Sequence, residues 1–195
     1  MSNAYKVESI CILCGVNLGT QPEFAQYAQK LAVEMLKKDI GLIYGGCSAG
    51  LTKIIVDEFM KNEKSVTGIV PRRYLSNGTV HPGVTKTMIA DDMYSRIEMM
   101  MQYADAFIIM PGGFGTYSEL FNILYSIRLG NLSKPCAVFN ICGFFDGMLS
   151  HMDSGIKYGF LEQHHKDILF ISAVIDDIFN YFMNYKPIEI PLNWK

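Results

Sequence analysis

Apolar residues along this chain fall into short runs of strand length, separated by longer stretches in which they recur at three- and four-residue spacing. The runs are Val7 to Cys14, Gly41 to Tyr44, Ser65 to Val70, Thr85 to Ala90, Ala106 to Met110, Cys136 to Ile141 and Ile168 to Ile171. Such runs, alternating with helical stretches from end to end, predict an α/β fold in which a doubly wound parallel sheet is covered by helices on both faces. The clearest helix is Pro22 to Lys38, where Phe24, Tyr27, Ala28, Leu31, Met35 and Leu36 share one face behind a proline suited to the first turn, and Gly41 punctuates its end. No repeat, low-complexity tract or composition shift divides the chain, so residues 5–195 read as a single domain. The small, polar start from Met1 to Ala4 reads as an expression remnant outside it. Arg72 to Gly83 is the longest irregular stretch, readable as a flap near a ligand or as a plain surface loop.

Composition narrows the function classes. With 195 residues, half of them apolar, the chain can fill one compact core. A formal net charge of -2 offers no basic excess for gripping nucleic acid, so no nucleic-acid partner is expected. No apolar run reaches the roughly 20 residues that span a bilayer, and the start lacks a signal-peptide pattern, so a soluble, cytoplasmic protein is expected. Five cysteines are an odd number, and Cys11, Cys14, Cys136 and Cys142 lie in or beside apolar runs, where a reduced thiol acts as a small hydrophobe. Cys11 and Cys14 have CxxC spacing, but positions three apart on a strand face opposite ways, and no second pair exists. The histidines His81, His151, His164 and His165 lack metal-ligand spacing, and the adjacent pair beside Lys166 reads as surface. Neither a metal nor a cofactor is expected.

Candidate chemistry sits in three glycine-bearing turns that follow predicted strands: Cys14 to Asn17, Tyr44 to Gly50 (with Gly45 and Gly46), and Pro111 to Thr116 (with Gly112, Gly113 and Gly115). In a doubly wound sheet these turns share the carboxyl edge, where ligands bind. Glycine lets backbone approach a ligand, and a helix starting there presents free N–H groups to phosphate, so the expected ligand is an anion. A dinucleotide fingerprint and a P-loop are both missing, which disfavours NAD and an ATPase or kinase. Glu119 closes the stretch PGGFGTYSE and is expected in the first helical turn; with Thr116 it also forms a capping-box pattern, so capping and catalysis are both open. Arg96, in MYSRIEMM, reads either as a phosphate-gripping guanidinium or as a solvated helix charge. Met93, Met99, Met100 and Met101 read as core or subunit-interface packing.

Taken together, YGGCSAGL, the MxxR element ending at Arg96, and PGGFGTYSE resemble the Lonely Guy family, whose members often carry the misleading label of lysine decarboxylases. The likeness runs from Ile10 to about Phe182. It implies a Rossmann-like fold binding a nucleoside 5′-monophosphate, a homodimer or higher homo-oligomer, and phosphoribohydrolase activity on cytokinin riboside 5′-monophosphates, with AMP cleaved by many members. It further implies that Gly45, Gly46, Gly112, Gly113, Gly115 and Thr116 bind the phosphate or nucleotide and that Arg96 and Glu119 are catalytic. The chain departs from the family pattern at Ile97 (usually Lys), Ser118 (usually acidic), Ser126 and Arg128 (a Trp and a Gln in cytokinin-activating members), and Cys47 and Lys53 (often Gly). These leave two alternatives: an AMP-preferring nucleosidase without a cytokinin role, and a non-hydrolytic nucleotide-binding or carrier protein.

Overall fold

The computed structural model describes residues 5–77 and 80–188, with backbone only at 76 and 77; the start from Met1 to Ala4 lies outside them. Seven parallel strands form one sheet: β1 Ser9–Leu13, β2 Gly41–Tyr44, β3 Val66–Pro71, β4 Lys86–Ala90, β5 Ala106–Ile109, β6 Cys136–Phe139 and β7 Phe170–Ser172. Each falls on or within two residues of a run read from the sequence. The helices are α1 Pro22–Lys37, α2 Gly50–Lys61, α3 Met93–Tyr103, α4 Phe114–Arg128, α5 Asp146–Lys157, α6 Gln163–Asp167 and α7 Ile175–Met183. The left-handed residue after α1 is Asp39 (φ 57°), and Gly41 instead opens β2. Of the stretch expected to be irregular, Arg72–Asn77 winds into a 3₁₀ turn, while Gly78 and Thr79 lie outside the described residues.

The two faces of the sheet are both apolar, which is why the strands read as continuous hydrophobic runs. Along β1, Ile10 and Ile12 enter the core shared with α1, α2 and α7, while Cys11 and Leu13 enter the core under α3 and α4. Strand order is β4-β3-β2-β1-β5-β6-β7. The chain thus winds outward from β1 to one edge, returns, and winds outward again from β5. At that reversal the loops after β1 and β5 diverge and leave a crevice at the carboxyl edge. Cys142 is the exception among the thiols expected inside: it sits exposed in a left-handed turn (φ 53°) just past β6, where no strand continues to bury it.

Candidate active site

Three backbone loops build the crevice. The loop after β1 is tied to the loop after β5 by Gly15 N–H donating to Pro111 O at 2.9 Å, and to the start of α2 by Leu51 N–H donating to Gly15 O at 3.1 Å. Close packing fixes two glycines here. A Cβ on Gly112 would meet Thr116 Oγ1 at 2.1 Å and Gly15 N at 2.9 Å, and one on Gly50 (φ 56°) would run into the Val16–Asn17 backbone. By contrast, a Cβ on Gly113 or Gly115 would meet nothing within 4 Å, so these two leave space for something that is not protein.

That space is a cavity of about 520 Å³, lined by Gly15 to Gly19, Gly45, Cys47, Arg96 and Pro111 to Thr116, with Glu119 at its base. Gly113 is the N-cap of α4 and Ala49 that of α2, and neither supplies a side-chain acceptor. The leading N–H groups of α4 therefore keep their donors and the positive end of the helix dipole for an anion. Gly46 lies apart from the lining residues: its φ is 82° and its α-carbon faces Val70, so it shapes the turn after β2 rather than the cavity wall.

Glu119 lies about a turn and a half into α4, deeper than the first turn expected, because the helix already starts at Phe114. With Gly113 as N-cap, the Thr116–Glu119 capping box does not form; Thr116 is buried inside the helix and its hydroxyl packs over Gly112. Glu119 is instead a buried carboxylate in an ion pair with Arg96. Arg96 is not a solvated helix charge. Its side chain is only 12% exposed, it donates from Nη1 to Gly45 O at 3.4 Å, and its Nε has no hydrogen-bond partner. Burial lowers its pKa from the ordinary guanidinium value, but an arginine stays charged regardless. A full positive charge with a spare donor thus sits beside a carboxylate in a polar-floored cleft.

Arg96 reaches this place because α3 is anchored by a capping box that the reading of the sequence passed over. Asp92 accepts from the N–H groups of Tyr94 and Ser95 at 2.9 and 2.8 Å, and Ser95 Oγ accepts from Asp92 N–H at 2.9 Å. The signal was present as D-x-x-S in DDMYS. Also missed were the apolar walls: Leu18, Phe24, Met93, Phe114 and Phe144 line the cleft, with Phe24 and Phe144 edge to face at 5.9 Å. They are scattered over the chain, so only the fold assembles them. Met100 is core, and Met99 and Met101 pack against it. Among the described residues no three His, Cys, Asp or Glu side chains gather as metal ligands would.

A doubly wound parallel sheet with a phosphate-suited glycine cleft at its switch point, holding a buried guanidinium–carboxylate pair, defines a Rossmann-like protein built to take a small anionic ligand. The family described as "Possible lysine decarboxylase" matches residues 53–182, and the chain belongs to it, the Lonely Guy or lysine-decarboxylase-like family. A probable cytokinin riboside 5′-monophosphate phosphoribohydrolase of Oryza sativa subsp. japonica is 31% identical over 85% of this chain and 72% of its own length. A cytokinin riboside 5′-monophosphate phosphoribohydrolase of Arabidopsis thaliana is 28% identical over 93% of this chain and 85% of its own. Among solved structures, the molybdenum cofactor binding protein of Rippkaea orientalis superposes with a TM-score of 0.66 at 17% identity, covering 90% of this chain and 94% of that one. The molybdenum cofactor carrier protein of Chlamydomonas reinhardtii gives 0.65 at 14%, covering 90% and 95%. At these identities the structural likeness is one of fold.

Proposed function

We propose that the chain hydrolyses the N-glycosidic bond of a nucleoside 5′-monophosphate, releasing free base and ribose 5-phosphate. The observation that carries this reading is the buried Arg96–Glu119 pair beside the uncapped start of α4, in a chain whose relatives are named phosphoribohydrolases. The 5′-phosphate sits on the N–H groups following Gly113, between Gly112 and Thr116; Gly45 with Gly46 shapes the neighbouring turn. The cavity volume lies within the range of about 300–1,000 Å³ usual for small-ligand sites. The base lies against Leu18, Phe24 and Phe144. As the bond between C1′ and the base nitrogen lengthens, positive charge builds on the ribose, and the Glu119 carboxylate stabilises it. As the C1′–N bond breaks, water attacks C1′ and gives its proton to Glu119, and that same proton is then passed on to the departing base nitrogen, which leaves Glu119 ionised again. Arg96 keeps Glu119 and the substrate in register.

The relatives' names make a cytokinin riboside 5′-monophosphate the first substrate to try, with AMP beside it. Base release from isopentenyladenosine 5′-monophosphate or AMP, followed by chromatography, is expected to fall by about 10²-fold or more in Glu119→Gln, with folding intact. No release from either, with AMP still bound, would replace hydrolysis by a non-hydrolytic binding role. The reading extends to residues 5–195 acting as one nucleotide-binding domain, assembled as a homodimer or higher homo-oligomer and working in the cytoplasm. Five free thiols support a reducing compartment. An exposed stripe of Phe114, Phe121 and Tyr125 along α4 supports self-association. No described helix is long and apolar enough to cross a membrane.

A further inference from the structure

Because parallel strands carry α4 back to the amino edge of the sheet, its last residue, Arg128, lies on the side opposite the cleft, near the short helix α6 that precedes β7. Three buried nitrogens on these two helices or their ends have no hydrogen-bond partner: Arg128 Nη1, His164 Nε2 and His165 Nε2. The two imidazole rings lie edge to face with centroids 4.4 Å apart, and Arg128 is near enough to act electrostatically on His165. The pair read from the sequence as surface is therefore half-buried and turned inward.

Buried polar groups are almost always satisfied, so three such orphans call for a missing partner. Its chemistry follows from the donors. Glu162 N–H donates to His165 Nδ1 at 3.0 Å, which leaves the proton of the neutral ring on Nε2 and makes that nitrogen a donor rather than a metal ligand. Burial, and then the charge of Arg128, lower the pKa of His165 and so keep the ring neutral. His164 points Nδ1 at Glu162 Oε2, 3.4 Å away, which leaves Nε2 as its unpartnered ring nitrogen. Arg128 donates from a charged fork and has no carboxylate partner among the described residues. A charged guanidinium fork beside an imidazole N–H suits an oxyanion such as phosphate, which offers an acceptor in every direction, and a cation would be repelled.

We propose that Arg128, His164 and His165 form a binding site for a phosphate-type oxyanion, separate from the catalytic cleft and independent of the hydrolytic reading. The test is an NMR titration of the His164 and His165 ring resonances with inorganic phosphate, chloride being exchanged to hold ionic strength. A saturable shift is expected, weakened about tenfold or more in Arg128→Gln, a substitution that keeps a good helix former at the end of α4. Arg128→Lys, with the charge but not the fork, is expected to fall between the two. A second titration with ribose 5-phosphate distinguishes the source: saturation by either ligand supports the site, and the tighter one shows whether free phosphate or a phosphate ester fills it. Base release by Arg128→Gln stays at the wild-type rate, so failure here and failure of the catalytic reading are told apart. The proposal is overturned by shifts that stay linear in phosphate, by equal affinity in Arg128→Gln, or by perturbation confined to the amides between Gly112 and Thr116.

Discussion

Arg96 and Glu119 have to be treated as a unit, because each is what makes the other tolerable in a buried place. Removing one partner of a buried pair strands the other charge, at about 3–5 kcal/mol for full burial, whereas removing both is far milder. Both side chains touch the cleft, being 12% and 10% exposed, so the low end of that range applies. Arg96→Met and Glu119→Gln are thus expected to destabilise singly by more than their combination implies, and urea unfolding of the two single variants and the double one measures the coupling. The glycines next to them divide by what surrounds them. Gly112→Ala drives a methyl into Thr116 and Gly15, and its melting temperature should fall. Gly115→Ala meets no protein atom and falls at the second position of α4, where alanine stabilises mainly by restricting the unfolded chain, by about 0.4–1 kcal/mol. Its melting temperature should rise while KM for the nucleotide climbs, a split that packing alone does not produce.

Helix α3 shows how an element aims a catalytic group. Its Asp92–Ser95 cap fixes the first turn, and Arg96 follows directly. Asp92→Ala is expected to lower the melting temperature by a few degrees and to reduce turnover, with CD melts and base release as the two readouts. Hydrogen bonds from the Ser95 N–H, the Ser95 hydroxyl and then the Tyr94 N–H hold the Asp92 carboxyl below its ordinary value. A depressed folded pKa means that the cap contributes fully above the unfolded value, near pH 4, and is lost as pH falls through the folded one. The difference between wild type and Asp92→Ala should therefore be present at pH 6 and close in acid. Elements of this kind were legible where their signal is local: buried parallel strands read as apolar runs, and α1 as a one-sided stripe behind Pro22. Glu119 was placed a turn too early because its partner, Arg96, comes from another helix, and a lone T-x-x-E looks the same capped or paired. His164 and His165 looked exposed because nothing in a QHHKD string shows that Arg128, from another helix, comes within electrostatic reach.

At the scale of the whole molecule, the strand reversal between β1 and β5 explains why Gly15, Gly45 and Pro111, far apart in the chain, line one cleft, and the alternation of runs and helices was enough to anticipate it. Among the large apolar side chains that a single chain leaves exposed, three share one face of α4. Along α4, Phe114 is 95% exposed, Tyr125 59% and Phe121 47%. Residues 114, 121 and 125 stand seven and four apart, the spacing of a packing seam, and exposed aromatics so arranged fit a second helix rather than water. A second copy related by a twofold axis would lay the same stripe against itself and cover the cleft rim at Phe114. Replacing both Phe121 and Tyr125 by Glu puts like charges face to face across that seam, so sedimentation should report the monomer mass. Since Phe114 is part of the cleft wall, base release should drop with the mass even though Arg96 and Glu119 are untouched. An unchanged mass in the folded double variant would move the interface away from α4.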